Sequence, residues 1–191
     1  IGGAHRLTPR AIYDASGVEG RNIFLIRQAE VEASLRELPG IASADVHLRL
    51  PNQILIDVKE LRPLVAWQVG AETVWLAADG AVVPQAGAAP PLTLVDATNT
   101  SLTGSDAWRH KVLAHLAELQ VSHPELTTFG YGDPQGLYYQ SAEGWEVWLG
   151  DTGPMGHKVT VAAGASAQVS QSRTQVKVID LRFSDERALW W

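Results

Sequence analysis

The sequence lacks cysteine, long apolar runs and an excess of basic residues, and each absence excludes a class of function. Without cysteine among its 191 residues, the chain can form neither disulfides nor thiolate metal sites. No apolar run approaches the roughly 18 to 20 residues that a membrane-spanning helix needs. A formal net charge of -6 argues against binding to a nucleic-acid backbone, which requires clustered lysine and arginine. We therefore expect no nucleic-acid partner.

The first 60 residues show the signals of a small α+β unit. Thr8-Pro9 is a helix cap followed by proline at the first helical position, which predicts a short helix that ends at Ser16-Gly17. A second amphipathic helix is predicted over 27–38. Alternating apolar and polar residues over 46–58, interrupted by a turn, predict a β-hairpin. With a truncated strand at residues 1–3, the predicted order is β-α-α-β-β, a three-stranded sheet covered by two helices.

The second half begins with a change of composition. Residues 85–105 are rich in Ala, Pro, Gly, Thr, Asn and Ser, which predicts a linker and a boundary near Pro84. An amphipathic helix over 106–120 follows, with Ser105 as its cap. Strands are then predicted over 126–131, 137–141, 145–150 and 175–183, the first three as an antiparallel meander. Residues 155–172 have a low helix propensity, because Pro154 directly precedes them and Gly156 and Gly164 lie among them.

Several motifs resemble the FtsQ/DivIB family of cell-division proteins. The order and spacing of the N-terminal motifs are similar to an FtsQ-type POTRA domain, and the similarity continues to about residue 95. Near the chain end, Ile179-Asp180-Leu181-Arg182-Phe183 resembles the family's "DLR" followed by an aromatic residue, and Gly150 with Lys158 resembles a family junction between a strand and a helix. The N-terminal motifs are Gly17–Phe24, Leu38–Ile41, Pro51–Ile56 and Glu60–Pro63, followed by Trp67, Trp75-Leu76, Asp79-Gly80 and Pro91-Leu92.

The resemblance implies an α+β fold with two parts. Residues 1–60 would form an FtsQ-type POTRA domain with a truncated first strand. The chain would continue through 61–84 into a C-terminal antiparallel β-sheet domain with flanking helices over 85–191. It also implies a helix at 155–172, a membrane-spanning helix upstream of Ile1, and a location on the extracytoplasmic side of the cell membrane at the division septum.

The resemblance further implies a non-catalytic scaffold of the divisome. Its expected partners are FtsB/DivIC-like and FtsL-like coiled-coil proteins, which would add a strand to the C-terminal edge strand, and a FtsK-like protein at the POTRA lobe. A POTRA-type chaperone module of outer-membrane protein insertion or two-partner secretion is the alternative. The sequence shows neither a second POTRA copy nor any other support for it.

The expected partner-binding residues lie around the last strand. An unpaired strand edge can accept another chain by backbone hydrogen bonding, and aromatic side chains are frequent anchors of such contacts. The family's aromatic residue falls on Phe183 and its terminal tryptophan on Trp191, whereas Asp185 replaces a hydroxyl-bearing residue. Alternatively, one or both terminal tryptophans pack onto their own sheet. The full expected set is Ile179, Leu181, Arg182, Phe183, Asp185, Trp190 and Trp191.

No constellation of residues predicts catalysis, a metal or a cofactor. His110 and His115 lie five apart on the predicted helix, where ligands on one face would lie three or four apart. Asp45 and His47 share a strand face without a nucleophile beside them. The glycines at 130–132 and 150–153 are interpreted as turns, and Asp151-Thr152-Gly153 as a chance match to an aspartic-protease triplet.

Overall fold

The structure, a computed structural model, describes residues 1–98, 107–172, 176–183 and 189–190. Two compact units are present: Ile1–Pro63 with Ala81–Ala89, and Leu64–Gly80 with Pro90–Trp191. The helices are α1 (Pro9–Ser16), α2 (Gln28–Arg36), α3 (Ala107–Ser122) and α4 (Met155–Ser172), with a 3-10 turn at Ile23–Leu25. The strands are β1 (Ile41–Arg49), β2 (Gln53–Glu60), β3 (Val65–Val69), β4 (Glu72–Leu76), β5 (Val82–Val83), β6 (Leu92–Asp96), β7 (Thr128–Gly132), β8 (Gly136–Gln140), β9 (Glu146–Gly150), β10 (Val178–Asp180) and β11 (Leu189–Trp190).

Helix α1 begins and ends where its local sequence signals predict. The Thr8 hydroxyl accepts a hydrogen bond from the Ala11 N–H at 3.2 Å, and Pro9 occupies the first turn, where it needs no hydrogen-bond partner. Gly17 ends the helix with φ of 62°, a left-handed conformation that favours glycine. The prediction of helix α1 is therefore confirmed. The predicted β-hairpin is also confirmed, because β1 and β2 form an antiparallel pair.

The first unit buries one apolar cluster between its helices and the β1–β2 hairpin. The predicted three-stranded sheet is reduced to two paired strands and one isolated parallel bridge between Gly2 and Asp57. At this bridge the Gly2 N–H donates to the Ile56 carbonyl at 2.8 Å, and Gly2 O accepts from Val58 N–H at 3.1 Å. The predicted first strand thus contributes only one residue of pairing. The cluster includes Ile12, Val31, Leu35, Val46 and Ile56.

Glu60 at the end of β2 holds the chain before α1. Its carboxylate accepts hydrogen bonds from three successive backbone N–H groups, those of His5, Arg6 and Leu7, at 2.8 to 3.0 Å. Partial burial raises the pKa of Glu60, but these backbone hydrogen bonds outweigh it and hold the pKa below its usual value. The sequence around Glu60 does not indicate these contacts, because the three donors lie 53 to 55 residues away along the chain.

Glu60→Ala is expected to lower the free energy of unfolding of the first unit by about 2 kcal/mol, because three backbone donors lose a charged acceptor. Since the folded-state pKa is lowered, this contribution is complete above about pH 4.5 and is lost as the pH falls through the lowered pKa. Amide hydrogen exchange of β2 residues, measured at pH 7 and at acidic pH, would report the difference. The exposed Glu37→Ala is the control, and equal protection in both variants at pH 7 would contradict the prediction.

The second unit is built on one mixed sheet in the order β11-β10-β9-β8-β7-β6-β3-β4. Three of its neighbouring pairs are parallel: β10 with β9, β6 with β7, and β3 with β6. The meander of β7, β8 and β9 is antiparallel, as predicted. The α+β class is confirmed, but the expected purely antiparallel sheet is wrong. The reason is that α3 lies between β6 and β7, and α4 between β9 and β10, so each helix forms the crossover that parallel neighbours require.

Helices α3 and α4 contribute to the core of this unit with the strands. Met155, Val159, Ala162 and Ala165 of α4 are buried, at the spacing of one helical face. The helix expected from the family resemblance is therefore confirmed, and burial of this face overrides its low intrinsic propensity. Within the described ranges, none of the helices combines the length and the hydropathy that a membrane span needs.

Candidate partner-binding site

The strand expected at the sheet edge lies inside the sheet. β10 pairs with β9 on one side and with β11 on the other, through Ile179 opposite Trp190 and Asp180 opposite Leu189. In the described part of the chain, β11 is therefore the terminal strand of the sheet. The sequence prediction of one long closing strand over 175–183 missed β11, because a strand of two residues, Leu189–Trp190, gives too short an alternating pattern to recognise.

The expected partner-binding residues divide into three groups. Ile179 and Leu181 are fully buried in the core of the second unit, so their side chains stabilise the fold and cannot touch a partner. Phe183 is 83% exposed. Trp190 lies in β11 through its backbone, while Asp185 and Trp191 lie outside the described residues.

Arg182 folds back onto Asp180 immediately after β10. Its Nε donates to Oδ1 of Asp180 at 3.0 Å and its Nη2 donates to Oδ2 at 2.7 Å, while Asp180 Oδ1 also accepts from the Arg182 backbone N–H at 2.9 Å. Nη1 donates to the Pro134 carbonyl at 2.8 Å. Burial raises the pKa of Asp180, but the Arg182 hydrogen bonds and charge outweigh burial and lower it. Through these hydrogen bonds, Arg182 stabilises the turn that follows β10.

The guanidinium of Arg182 also lies between two aromatic rings. Its central carbon is 4.7 Å from the centroid of Trp148 and 4.9 Å from that of Phe183. These are cation–π distances. Gly150 permits this packing, because a Cβ there would lie 3.2 Å from the Arg182 Cα. The stack supports the outer ring of Phe183 while leaving most of that ring in solvent.

A buried lysine contacts strand β9, which pairs with β10. Lys158 of α4 is 1% exposed, and its Nζ donates to the Leu149 carbonyl of β9 at 2.7 Å. Its positive charge also lowers the pKa of Asp180. A buried ammonium needs such compensation. Lys158 was noted in the sequence only as part of a family motif, and its structural role had no signal in the residue pattern.

Tyr131 and Asp151, which belong to the two glycine-containing segments, contact each other. Burial raises the pKa of Tyr131 to about 12, and the carboxylate of Asp151, which accepts a hydrogen bond from Tyr131, adds to the shift. In the ranges that the structure describes, no group of three or more histidine, aspartate or glutamate side chains could hold a metal ion. The interpretation as turns is wrong for three of the glycines: Gly130, opposite Tyr138, and Gly132 lie within β7, and Gly150 lies within β9. The Tyr138 ring occupies the space that a side chain at Gly130 would need.

Comparison with known proteins agrees with this architecture. Residues 1–60 match the family model of the POTRA domain, FtsQ-type. Cell division protein FtsQ from Chloroflexus aggregans is 31% identical over 100 residues, which cover 51% of this chain and 37% of that relative. Residues 1–60 therefore form an FtsQ-type POTRA domain. Cell division protein FtsQ from Bradyrhizobium diazoefficiens is 34% identical over 84 residues, covering 44% of this chain and 25% of that relative.

The matched segments thus span about a third or less of the length of these curated relatives. In this chain, the motif Asp180-Leu181-Arg182-Phe183 has a physical explanation. Asp180 and Arg182 form an ion pair across the turn after β10, Leu181 is buried in the core, and Phe183 is exposed to solvent. The motif therefore combines three structural residues with one exposed aromatic residue.

Proposed function

We propose that this chain is the extracytoplasmic part of a bitopic cell-division scaffold that recruits FtsB-like and FtsL-like partners to the septum. The names of its relatives support a role in cell division, and the FtsQ-type POTRA match supports a binding module rather than an enzyme. A membrane anchor upstream of Ile1 and a septal location are part of the same proposal. We infer the anchor and the septal location from the resemblance to FtsQ/DivIB proteins.

The partner is proposed to pair with β11 and to contact Phe183. The observation that carries this is an exposed apolar pair around the last strands: Phe183 is 83% exposed and Leu189, on β11, is 60% exposed. Such side chains beside a strand whose outer edge is unpaired within the described residues suit β-augmentation, in which backbone hydrogen bonds give affinity and side-chain contacts give specificity. Phe183 is already held by Arg182, so little ordering entropy is lost when it is covered.

Phe183→Ala is expected to raise the Kd for the extracytoplasmic region of the cognate FtsB-like protein about tenfold, because truncating an aromatic anchor removes roughly 1 to 2 kcal/mol of binding energy. Isothermal titration calorimetry with the 191-residue chain would measure it. Thermal unfolding should change little, since the ring is mostly solvated. Leu189→Ser is expected to weaken binding in the same direction.

Phe24→Ala is the matched control, because Phe24 is also an exposed phenylalanine, 69% accessible, and lies in the other unit. It should leave the Kd unchanged. If Phe183→Ala and Leu189→Ser both bind like the parent chain, the proposed docking edge is wrong. If the parent chain binds no FtsB-like protein at all, the proposed partner is wrong.

A further inference from the structure

A cavity of about 310 Å³ opens in the second unit beside helix α4. Its apolar surface includes Leu126, Val159 and Ala163, and its polar surface includes Glu125, Tyr139 and Glu143. The volume is at the lower end of the range for ligand pockets. None of the lining residues belongs to β10 or β11, so the cavity is separate from the proposed docking edge.

The polar groups of this cavity are the carboxylates of Glu125 and Glu143 and the hydroxyls of Tyr139, Ser141 and Ser166. Glu143 is exposed and makes no ion pair within the described residues. The Glu125 carboxylate accepts hydrogen bonds from its own backbone N–H and from a ring nitrogen of His123 at 3.0 Å, and both lower its pKa. The two glutamates therefore favour a cationic ligand.

Tyr139, another polar group of the cavity, is more than nine-tenths buried, with 7% exposed. Its ring packs edge-on against Phe129 at 6.4 Å between centroids. Across the described ranges, its hydroxyl has no hydrogen-bond partner and is not a fully buried atom, so solvent reaches it. Burial raises the pKa of Tyr139 to about 12, and the charges of Glu143 and Glu125 add to the shift. The same two glutamates line the cavity, so the hydroxyl faces a space where a ligand could satisfy it.

We propose that this cavity binds the guanidinium group of an arginine side chain presented by a partner protein. Guanidinium is planar, carries five N–H donors and is weakly hydrated, so it can lie on the apolar surface of Val159 and Ala163 while donating to two carboxylates. The arginine stem would cover Leu126. A lysine ammonium is more strongly hydrated and offers donors at a single point, so it fits this half-apolar cavity less well. An anion would face two negative charges.

The test uses capped arginine, N-acetyl-arginine methylamide, and its neutral isostere N-acetyl-citrulline methylamide. Titration of the isotope-labelled 191-residue chain, followed by amide chemical shifts, should move resonances of residues 125–126, 142–143 and 163–167 with the arginine compound. The citrulline compound should bind at least about tenfold more weakly, since it lacks the charge. N-butylguanidine, a free guanidinium with the same single charge as capped arginine, separates a peptide source from a small-molecule source. If it binds as tightly as capped arginine or more tightly, the assignment to a partner's side chain is overturned.

Two variants locate the binding. Glu143→Gln should weaken binding about fivefold, because an exposed charge pair contributes up to about 1 kcal/mol. Ala163→Leu should abolish it by filling the cavity from an exposed helix position. Their controls are Glu72→Gln and Ala114→Leu, both at exposed positions of the same unit outside the cavity. Equal binding of arginine and citrulline compounds, or binding unaffected by both cavity variants, would overturn the proposal.

Discussion

Arg182→Ala is expected to lower the free energy of unfolding of the second unit by about 3 kcal/mol. The Asp180 carboxylate is 4% exposed and would lose the guanidinium that neutralises it, and removing one partner of a buried pair costs about 3 to 5 kcal/mol. The nearby Lys158 charge remains and offsets part of this cost, so the lower end of the range is expected. Arg182→Lys should cost less, because it keeps the charge but loses the forked geometry.

Tryptophan fluorescence in urea measures this effect without interference from the first unit. The chain has seven tryptophans, and none lies in 1–63 or 81–89. The double variant Asp180→Ala with Arg182→Ala should be more stable than Arg182→Ala alone, because it carries no uncompensated carboxylate. Since the folded-state pKa of Asp180 is lowered, the difference between parent and Arg182→Ala should be complete above about pH 4 and vanish as the pH falls through that lowered pKa. A loss below about 1 kcal/mol at pH 7 would show that Lys158 alone compensates the carboxylate.

Trp67→Ala is expected to cost about 4 kcal/mol of the stability of the second unit, within the usual range for truncating a buried aromatic residue. Trp67 is fully buried on β3, its indole Nε1 donates to Asp96 Oδ2 at 3.0 Å, and its ring packs edge-on against Trp108 at 5.7 Å. The alanine variant would leave a cavity and an Asp96 oxygen without its donor. Trp67→Phe keeps part of the apolar area and should cost about half as much.

Val95→Ala on the neighbouring strand β6 is the control for Trp67→Ala, because Val95 is 44% exposed. Its effect should stay within about 0.5 kcal/mol. Urea unfolding followed by far-UV circular dichroism is the better readout here, since the substitution removes a fluorophore. A cost below about 2 kcal/mol would mean that Trp108 and its neighbours relax into the space.

The elements that the sequence predicts correctly are those whose ends are determined by neighbouring residues in the chain. Thr8-Pro9 and Gly17 bound α1 through hydrogen bonds and φ values that depend on neighbouring residues alone. The strands β3 and β4 had no comparable signal: they were noted only through family motifs such as Trp67. The place of β3 in the sheet depends on pairing with β6, where Val65 lies opposite Leu92, 27 residues further along the chain, and β4 pairs in turn with β3. Helix α4 shows the same limit, because burial against the sheet determines it and Gly156 argues against it.

The candidate site was predicted in part, for a similar reason. Strict alternation placed Ile179, Leu181 and Phe183 on one face of a long strand. The strand ends at Asp180, and the turn closed by Arg182 directs Phe183 into solvent while Ile179 and Leu181 stay buried. A side chain that folds back on its own neighbour leaves no periodic trace in a sequence. The role of Phe183 in binding stays a prediction.

The chain passes from the first unit to the second, back to the first and again to the second, which limits how the two units can be separated. Leu64–Gly80 supplies β3 and β4 to the second unit, Ala81–Ala89 belongs to the first, and the chain then returns at Pro90. A cut after residue 60 would leave Ala81–Ala89 on the wrong fragment, and a cut near residue 84 would strip β3 from β6 and uncover a new sheet edge. Neither unit can therefore be excised intact at a single peptide bond. Functional dissection of the two halves calls for point substitutions, or for grafting residues 81–89 onto the first fragment.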